Sequence, residues 1–242
     1  LKNELLSYVC RNLLRASVDD LKMQRKSAEA VKNGIVVAPE EASTKGFAYE
    51  TLTFMANCCK GNHRNMQDYI RDPINHIEHY DVIGDAVQYL SLLERDIKDT
   101  VSEESERFLE RQTPTGRRIS PALESASAVL TLLRALASGP NLENQRVVAA
   151  TDVLPCVNRM LSYTEYTSVD DVRDAGDENQ TAKGQLHSNI SYVLLALLEG
   201  VPDPVVVRRM ISALDWTHFA RHLKVLRLLI EEGILERDDD GE

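Results

Sequence analysis

The chain has 242 residues, of which 43% are hydrophobic and 27% charged, a balance typical of a soluble globular protein rather than a disordered or fibrous one. Eleven glycines, eight prolines and 5% aromatic residues are too few for a turn-rich β-sandwich or barrel. The net charge of −10 comes largely from two segments, Tyr163–Ala182 and Glu231–Glu242, and no basic stripe offsets it. This charge pattern argues against binding to nucleic acid or to an anionic membrane surface.

The ends of the chain and its cysteines indicate the compartment. No signal peptide opens the chain, which begins with Leu1, so we expect a piece of a longer cytosolic protein. The longest purely apolar run, Tyr192–Leu198, falls far short of the roughly 20 residues that span a bilayer, so we expect no membrane insertion. The four cysteines lack disulfide-framework spacing, and we expect buried, reduced thiols at Cys10, Cys58, Cys59 and Cys156.

Apolar residues recur at helical spacing along nearly the whole chain. The pattern predicts about ten helices, centred near residues 5–16, 20–32, 47–59, 63–71, 81–98, 120–138, 142–150, 152–162 and 183–199, with two more within 204–231. Four stripes are clearest: Ile83-Val87-Leu90-Leu93-Ile97, Leu123-Ala126-Leu130-Leu133-Ala137, Leu186-Ile190-Val193-Leu197 and Trp216-Phe219-Leu223-Leu226-Ile230. The run at 35–37 is strand-like but too short to found a sheet, so the predicted fold class is all-α.

Helix ends are marked by residues with a physical reason to be there. Ser120-Pro121 and Asp203-Pro204 each place a side-chain oxygen before a proline that needs no N–H partner, and Asp215 precedes the last stripe. Gly139 and Gly200 tolerate the left-handed backbone that ends a helix.

Three segments lack an apolar face and are expected to be loops: Asn33–Gly46, Thr100–Ile119 and Tyr163–Ala182. The remaining helices each carry a wide apolar face that cannot be buried alone. They are expected to stack into a bundle or an irregular armadillo-like solenoid, although the sequence shows no fixed repeat period.

Two histidine pairs have the spacing of metal ligands. His76 and His79 lie three residues apart, and His218 and His222 lie four apart on the last predicted helix. The first pair lacks a third ligand at helical spacing, and basic neighbours of the second oppose cation binding. Both are interpreted as solvated polar residues, and no metal or cofactor is predicted.

A nucleophilic enzyme is also considered. Cys58 and Cys59, followed by Lys60 and His63, offer a thiol, a cation and a base. Both cysteines end an apolar helix, where packing is the better interpretation. The chain has no nucleophile elbow and no Gly-rich phosphate loop, so no enzyme is predicted.

Two polar segments stand out instead. The first, Gly61–Arg71, is rich in Asn, His, Arg and Gln. The second contains Gly139-Pro140 and, after three intervening residues, Asn144-Gln145. Side chains of these types hydrogen-bond to backbone groups between helices, which favours a structural role in ordering tight inter-helix turns.

These segments resemble the RIH-associated domain of inositol trisphosphate receptors and ryanodine receptors. Cys59–Arg71 is similar to the family signature Cys-Glu-x-His-Asn, two variable residues, an apolar one and Gln-Asn-aromatic-Leu-Arg. The second segment resembles a later Gly-Pro-Cys-x-x-Asn-Gln element, and Leu186–Leu198 the long helix after it. The positions matched are Cys59, Asn62, His63, Gln67, Tyr69, Arg71, Gly139, Pro140, Asn144 and Gln145.

The resemblance implies an armadillo-like solenoid on the cytosolic side of a tetrameric calcium-release channel, in the endoplasmic reticulum or another calcium-store membrane. There it would pass motion from ligand-binding modules to the pore, with other domains and subunits of the same channel as partners. It implies a helical domain of this type at 47–231, preceded by unassigned N-terminal helices and a linker at 1–46. An acidic, disordered tail is expected at 232–242.

The chain departs from the family at the calcium site. Two family glutamates that help bind activating calcium fall here on Lys60 and Ala135, and the family order His-Asn is reversed as Asn62-His63. Calcium needs several oxygen ligands, and an ammonium group repels it. We therefore expect no specific calcium binding near Lys60.

Two other functions stay open on the sequence alone. One is a stand-alone armadillo-type scaffold that binds a partner peptide along a concave face. The other is an enzyme that uses Cys58 or Cys59, which would require a thiol that reacts quickly at neutral pH.

Overall fold

The computed structural model describes residues 2–33, 47–72, 81–109, 120–164 and 178–231, and within these ranges the chain is all-α without a strand. The helices are α1 (Lys2–Lys32), α2 (Ala48–Cys58), α3 (Arg64–Arg71), α4 (Val82–Leu109), α5 (Pro121–Ala137), α6 (Leu142–Ala150), α7 (Val153–Tyr163), α8 (Glu178–Leu198), α9 (Pro204–Ala213) and α10 (Trp216–Glu231). The predicted fold class is confirmed.

The prediction was wrong at three helix boundaries. The two helices expected near 5–16 and 20–32 are one continuous α1, in which the Ser17 hydroxyl donates to the Leu13 carbonyl at 2.9 Å without breaking the helix. Helix α4 runs on to Leu109, and α8 begins at Glu178, both inside segments expected to be loops. Glutamate, arginine and glutamine favour helix even without an apolar face, since their side chains lose little freedom there.

Several other expectations fall outside the described residues. They are the linker at 34–46 with its strand-like run, the loop at 110–119, most of the acidic loop at 165–177, and the tail at 232–242.

The predicted helix ends hold in most places. Asp203 accepts a hydrogen bond from the Val205 N–H at 2.7 Å, and Asp215 from the Thr217 N–H at 2.9 Å. Gly139 and Gly200 have φ of +85° and +83°. Ser120 lies at the N-cap of α5, but its hydroxyl makes no capping hydrogen bond, so that part of the prediction was wrong.

The helices stack with a period of three. Helix α1 packs on α4, α2 on α5, α3 on α6, α4 on α7, α5 on α8 and α6 on α9. The chain therefore forms three successive triplets, α1–α3, α4–α6 and α7–α9. This is the arrangement of a helical solenoid, in which each unit contacts its neighbours along the stack.

Helix α5 is the centre of the core, because it contacts α2, α3, α4, α6 and α8. The first three predicted apolar stripes are buried throughout. The fourth is not, since Trp216 is 49% exposed and Phe219 is half-buried. The other members of that stripe lie outside the described side chains. In the described ranges, none of the helices combines the length and apolar character that crossing a membrane requires.

Candidate functional site

The two polar segments found in the sequence lie together where α3, α5, α6 and α8 meet. Four carboxamide side chains form the centre of this junction, and each is at most 1% exposed. We call them the amide cluster: Gln67, Asn141, Asn144 and Gln145. Buried amides must find partners, and three of these four donate to carbonyls at the ends of helices.

Gln67 joins α3 to the end of α5. His63 caps α3, its Nδ1 accepting from the Met66 N–H at 3.3 Å, and this sets the start of the helix one turn before Gln67. The Nε2 of Gln67 then donates to the carbonyls of Ala135 at 2.8 Å and Ser138 at 2.9 Å. These carbonyls end α5 and have no partner within the helix.

Asn141 caps α6 and also hydrogen-bonds to side chains of α3. Its Oδ1 accepts from the Asn144 N–H at 3.2 Å, while its Nδ2 donates to the Gln67 Oε1 at 3.2 Å and to Asp68 Oδ1 at 2.9 Å. Asp68 lies in the polar segment Gly61–Arg71 that stood out in the sequence, whereas Asn141 was not predicted to take part. An asparagine immediately before a helix is a recognisable N-cap, so Asn141 had a signal.

Asn144 closes the contact between α3, α5 and α6. Its Nδ2 donates to the Leu136 carbonyl at 2.8 Å and the Gln67 carbonyl at 3.3 Å, and its Oδ1 accepts from Arg71 Nη1 at 3.0 Å. The Arg71 guanidinium also lies 3.5 Å from Asp68. The amide, guanidinium and carboxylate thus form one continuous network.

Gln145 extends the network to the third triplet. Its Nε2 donates to the carbonyls of Ala196 at 2.8 Å, Glu199 at 3.2 Å and Ala137 at 3.4 Å. The ends of α5 and α8 are thereby held by one side chain of α6. The four carboxamides carry no charge themselves, and the charged Asp68 and Arg71 contact them from α3.

The backbone turns around the cluster pack without spare room. A Cβ at Gly139 would lie 2.5 Å from the Asn62 Cβ, and one at Gly200 would lie 2.7 Å from the Pro140 Cβ. Asn62 itself has a positive φ of 57°. The Gly139 N–H donates to Glu199 Oε2 at 2.9 Å, a second link between the turns after α5 and α8.

The other positions of the resemblance surround the cluster. Cys59 is buried beneath the turn between α2 and α3, and Tyr69 is half-buried on α3. His63 and Pro140 are exposed, as is Lys60 in the same turn as Cys59. All ten positions lie on α3, α6 or the turns that flank them.

The cysteines do not form a reactive site. Burial raises the pKa of Cys58, and burial followed by the neighbouring Cys58 raises the pKa of Cys59 to about 12. Both thiols therefore stay protonated at neutral pH and are poor nucleophiles. Cys10, Cys59 and Cys156 are buried, Cys58 is half-buried, and all four are free.

The histidine pairs acquire no metal-site geometry in the part of the chain that is described. His76 and His79 lie outside it, as does the side chain of His222. His218 Nε2 lies 3.8 Å from Asp215 Oδ2. Within the described ranges, no three His, Cys, Asp or Glu side chains group as a metal site would require.

The described part of the chain is thus an all-helical stack with four buried carboxamides at the junction of α3, α5, α6 and α8. In the comparison with protein families, residues 42–161, about half of the chain, match the family described as RyR and IP3R homology associated. Residues 42–161 belong to this family. The family is that of the ryanodine and inositol trisphosphate receptor channels, which are not enzymes. No curated protein matches the chain.

Proposed function

We propose that the chain is a cytosolic helical segment of an inositol trisphosphate/ryanodine receptor-like calcium-release channel, and that it transmits ligand-induced motion towards the pore. The family match over residues 42–161 carries this proposal. All four residues of the amide cluster lie inside the matched segment, so the segment carries its own means of joining helices.

The amide cluster supports a coupling role. Gln67 reaches the carbonyls that end α5, and Gln145 reaches those that end both α5 and α8. If α3 shifted alone, buried carbonyls and amides would lose their partners, at about 1–3 kcal/mol for each unsatisfied group. Displacing one helix therefore favours displacing the others, which is how packed helices pass on a two-state change.

The wider assignment follows from the same proposal. We place the segment on the cytosolic face of a calcium-store membrane, with other domains and subunits of a homotetrameric channel as its partners. Helices α8 and α9 stack on α5 and α6 beyond residue 161, which supports one domain over 47–231.

The proposal is tested in the full-length protein by Gln67→Ala. Vesicles that carry the channel are treated with inositol trisphosphate, and in parallel with ryanodine. We expect ligand binding to keep its affinity while calcium release at saturating ligand falls several-fold. Asn65→Ala is the matched control, since it removes an exposed carboxamide from the same helix. Wild-type release in the Gln67→Ala channel, or a full-length protein that releases no calcium, would refute the proposal.

Calcium binding is a separate prediction. Neither the Lys60 nor the Ala135 side chain supplies an oxygen ligand, and the Ala135 carbonyl already accepts from Gln67 Nε2. Asp68 is also engaged, by Asn141 and Arg71. We expect a calorimetric calcium titration of the chain to show no micromolar site here. A micromolar site that disappears in Asp68→Asn would contradict this prediction.

A further inference from the structure

The middle helices of the three triplets, α2, α5 and α8, form a groove of about 440 Å³. The small side chains of Ser127 and Ala128 line it on α5. Asn57 of α2 lies on one side, and Gln185 and Asn189 of α8 lie on the other. The groove is separate from the amide cluster, which lies at the far end of α5.

Helix α5 exposes one stripe, of which Glu124, Ser127 and Thr131 line this groove and Arg134 lies one helical turn beyond Thr131. Apart from Pro121 at its start, its exposed residues are Glu124, Thr131 and Arg134, with half-buried Ser127 between them. The spacing of three, four and three residues places them on one face of the helix. Ten residues at 1.5 Å each separate the two charges by about 15 Å.

The charged groups of Glu124 and Arg134 can both pair with a ligand. In the described part of the chain, neither Glu124 nor Arg134 has an ion-pair partner. The Arg134 guanidinium stacks on Tyr192, 4.3 Å from the ring centroid. Stacking leaves the N–H edge of a guanidinium free for a carboxylate. The stripe therefore carries an anion at Glu124, which lines the groove, and a cation at Arg134, one helical turn beyond Thr131.

The groove walls match a peptide backbone. A carboxamide donates and accepts hydrogen bonds as a peptide group does, and Asn57, Gln185 and Asn189 bring three of them to the walls. Gln185 Nε2 donates to Asn189 Oδ1 at 3.2 Å, which leaves the Gln185 carbonyl oxygen and the Asn189 amide group able to bind further partners.

We propose that this groove binds an extended peptide segment of a partner protein or domain. The segment carries a basic residue that meets Glu124 and an acidic residue that meets Arg134, four or five positions apart, because an extended chain rises about 3.3 Å per residue. Small residues lie between them, over Ser127 and Ala128. The inference holds whether the chain acts within a channel or alone, since it rests on the groove and its charges.

The test uses the intact 242-residue chain and fluorescein-labelled peptides. One peptide has lysine five positions before glutamate, a second has the reverse order, and both have serine and alanine elsewhere. We expect fluorescence anisotropy to show that the chain prefers one order. In Glu124→Lys/Arg134→Glu, which keeps the net charge, the preference should shift about tenfold towards the opposite order.

Two further variants complete the test. Lys98→Glu/Asp99→Lys reverses an exposed pair on α4 without changing the net charge, and it should leave peptide binding unchanged. Ser127→Trp fills the groove and should reduce binding about tenfold or more. The proposal is wrong if neither peptide binds better than one with its charges adjacent, or if binding survives both the charge swap and Ser127→Trp.

Discussion

At the scale of single residues, the turn after α5 depends on the absence of a side chain at Gly139. The residue has φ +85°, and a Cβ would lie 2.5 Å from the Asn62 Cβ and 2.7 Å from its Cγ. Left-handed backbone costs an L-residue about 1–2 kcal/mol, and overpacking adds about 1–3 kcal/mol. Conformation and close approach thus both require glycine here.

The two contributions can be separated by mutation. Gly139→Ala should lower the free energy of unfolding by about 2–5 kcal/mol. Asn62→Gly alone should change it little, because glycine accepts the φ of 57° at that position. In the double variant the collision is gone and only the left-handed cost, about 1–2 kcal/mol, should remain. Urea unfolding measures all three, and additive effects would contradict the proposed contact.

For the amide cluster, the sequence predicted the residues that order a turn but not their distant hydrogen-bond partners. Asn144 and Gln145 belonged to a segment expected to order an inter-helix turn, and the left-handed Gly139 was expected as a helix end. That Gln145 binds carbonyls at Ala196 and Glu199, more than fifty residues away, has no local signal. Such a partner is fixed by the packing of α8 on α5, which composition and spacing do not encode.

At the scale of elements, α4 and α7 are joined by a paired charge. Glu94 accepts from Arg159 Nε and Nη2 at 2.8 Å each, and the Cys156 thiol donates to Glu94 at 3.5 Å. Burial alone would raise the pKa of Glu94. The hydrogen bonds from Arg159 and its positive charge lower that pKa by more than burial raises it, so the pKa of Glu94 lies below its usual value. Burial and then the Glu94 charge raise the pKa of Cys156 to about 12, which keeps it a thiol.

The Glu94 pair predicts a pH dependence of stability. Because its pKa is lower in the folded than in the unfolded state, its contribution is present above the unfolded pKa, near 4.3, and is lost as pH falls through the folded value. Glu94→Gln should cost about 1 kcal/mol at pH 7, since Arg159 is half exposed and screened by solvent.

Urea unfolding of both proteins at several pH values measures this effect. The difference between wild type and Glu94→Gln should shrink between about pH 5 and pH 3. Glu124→Gln, at an exposed carboxylate without an ion pair in the described part of the chain, should change stability by less than about 0.5 kcal/mol. A difference that is constant or grows on acidification would contradict the assignment.

The elements themselves were largely predictable. Apolar stripes on α4, α5 and α8 identified core helices because one face of each is buried against its neighbours. The spacing of apolar residues did not predict the continuation of α4 to Leu109, since a polar helix has no apolar stripe. Trp216 was expected in the core, but its side chain at the start of α10 is 49% exposed.

At the scale of the whole molecule, the three-helix period of the stack could not be predicted from the sequence. The triplets begin at residues 2, 82 and 153, so their lengths differ and no fixed period exists to be found. Like helices nevertheless stack on like, with α5 packed between α2 and α8. The repeat belongs to the packing, because loops of different length are accommodated at small cost in closure entropy.

The amide cluster spans two of these triplet boundaries. Gln67 lies on the third helix of the first triplet, Gln145 on the third helix of the second, and Ala196 on the middle helix of the last. A disturbance at Gln67 should therefore reach α8, although Gln67 makes no hydrogen bond to it. This coupling is the central claim of the proposed function.

Native-state amide hydrogen exchange of Gln67→Ala tests the claim most directly. Val157→Ala in α7 serves as the control, because its expected cost of about 2 kcal/mol is similar and its side chain is buried away from the cluster. We predict that exchange in α6 and in the last turn of α8 accelerates about tenfold more in Gln67→Ala than in the control. Acceleration confined to α3 and the end of α5, with α8 behaving as in the control, would contradict the account.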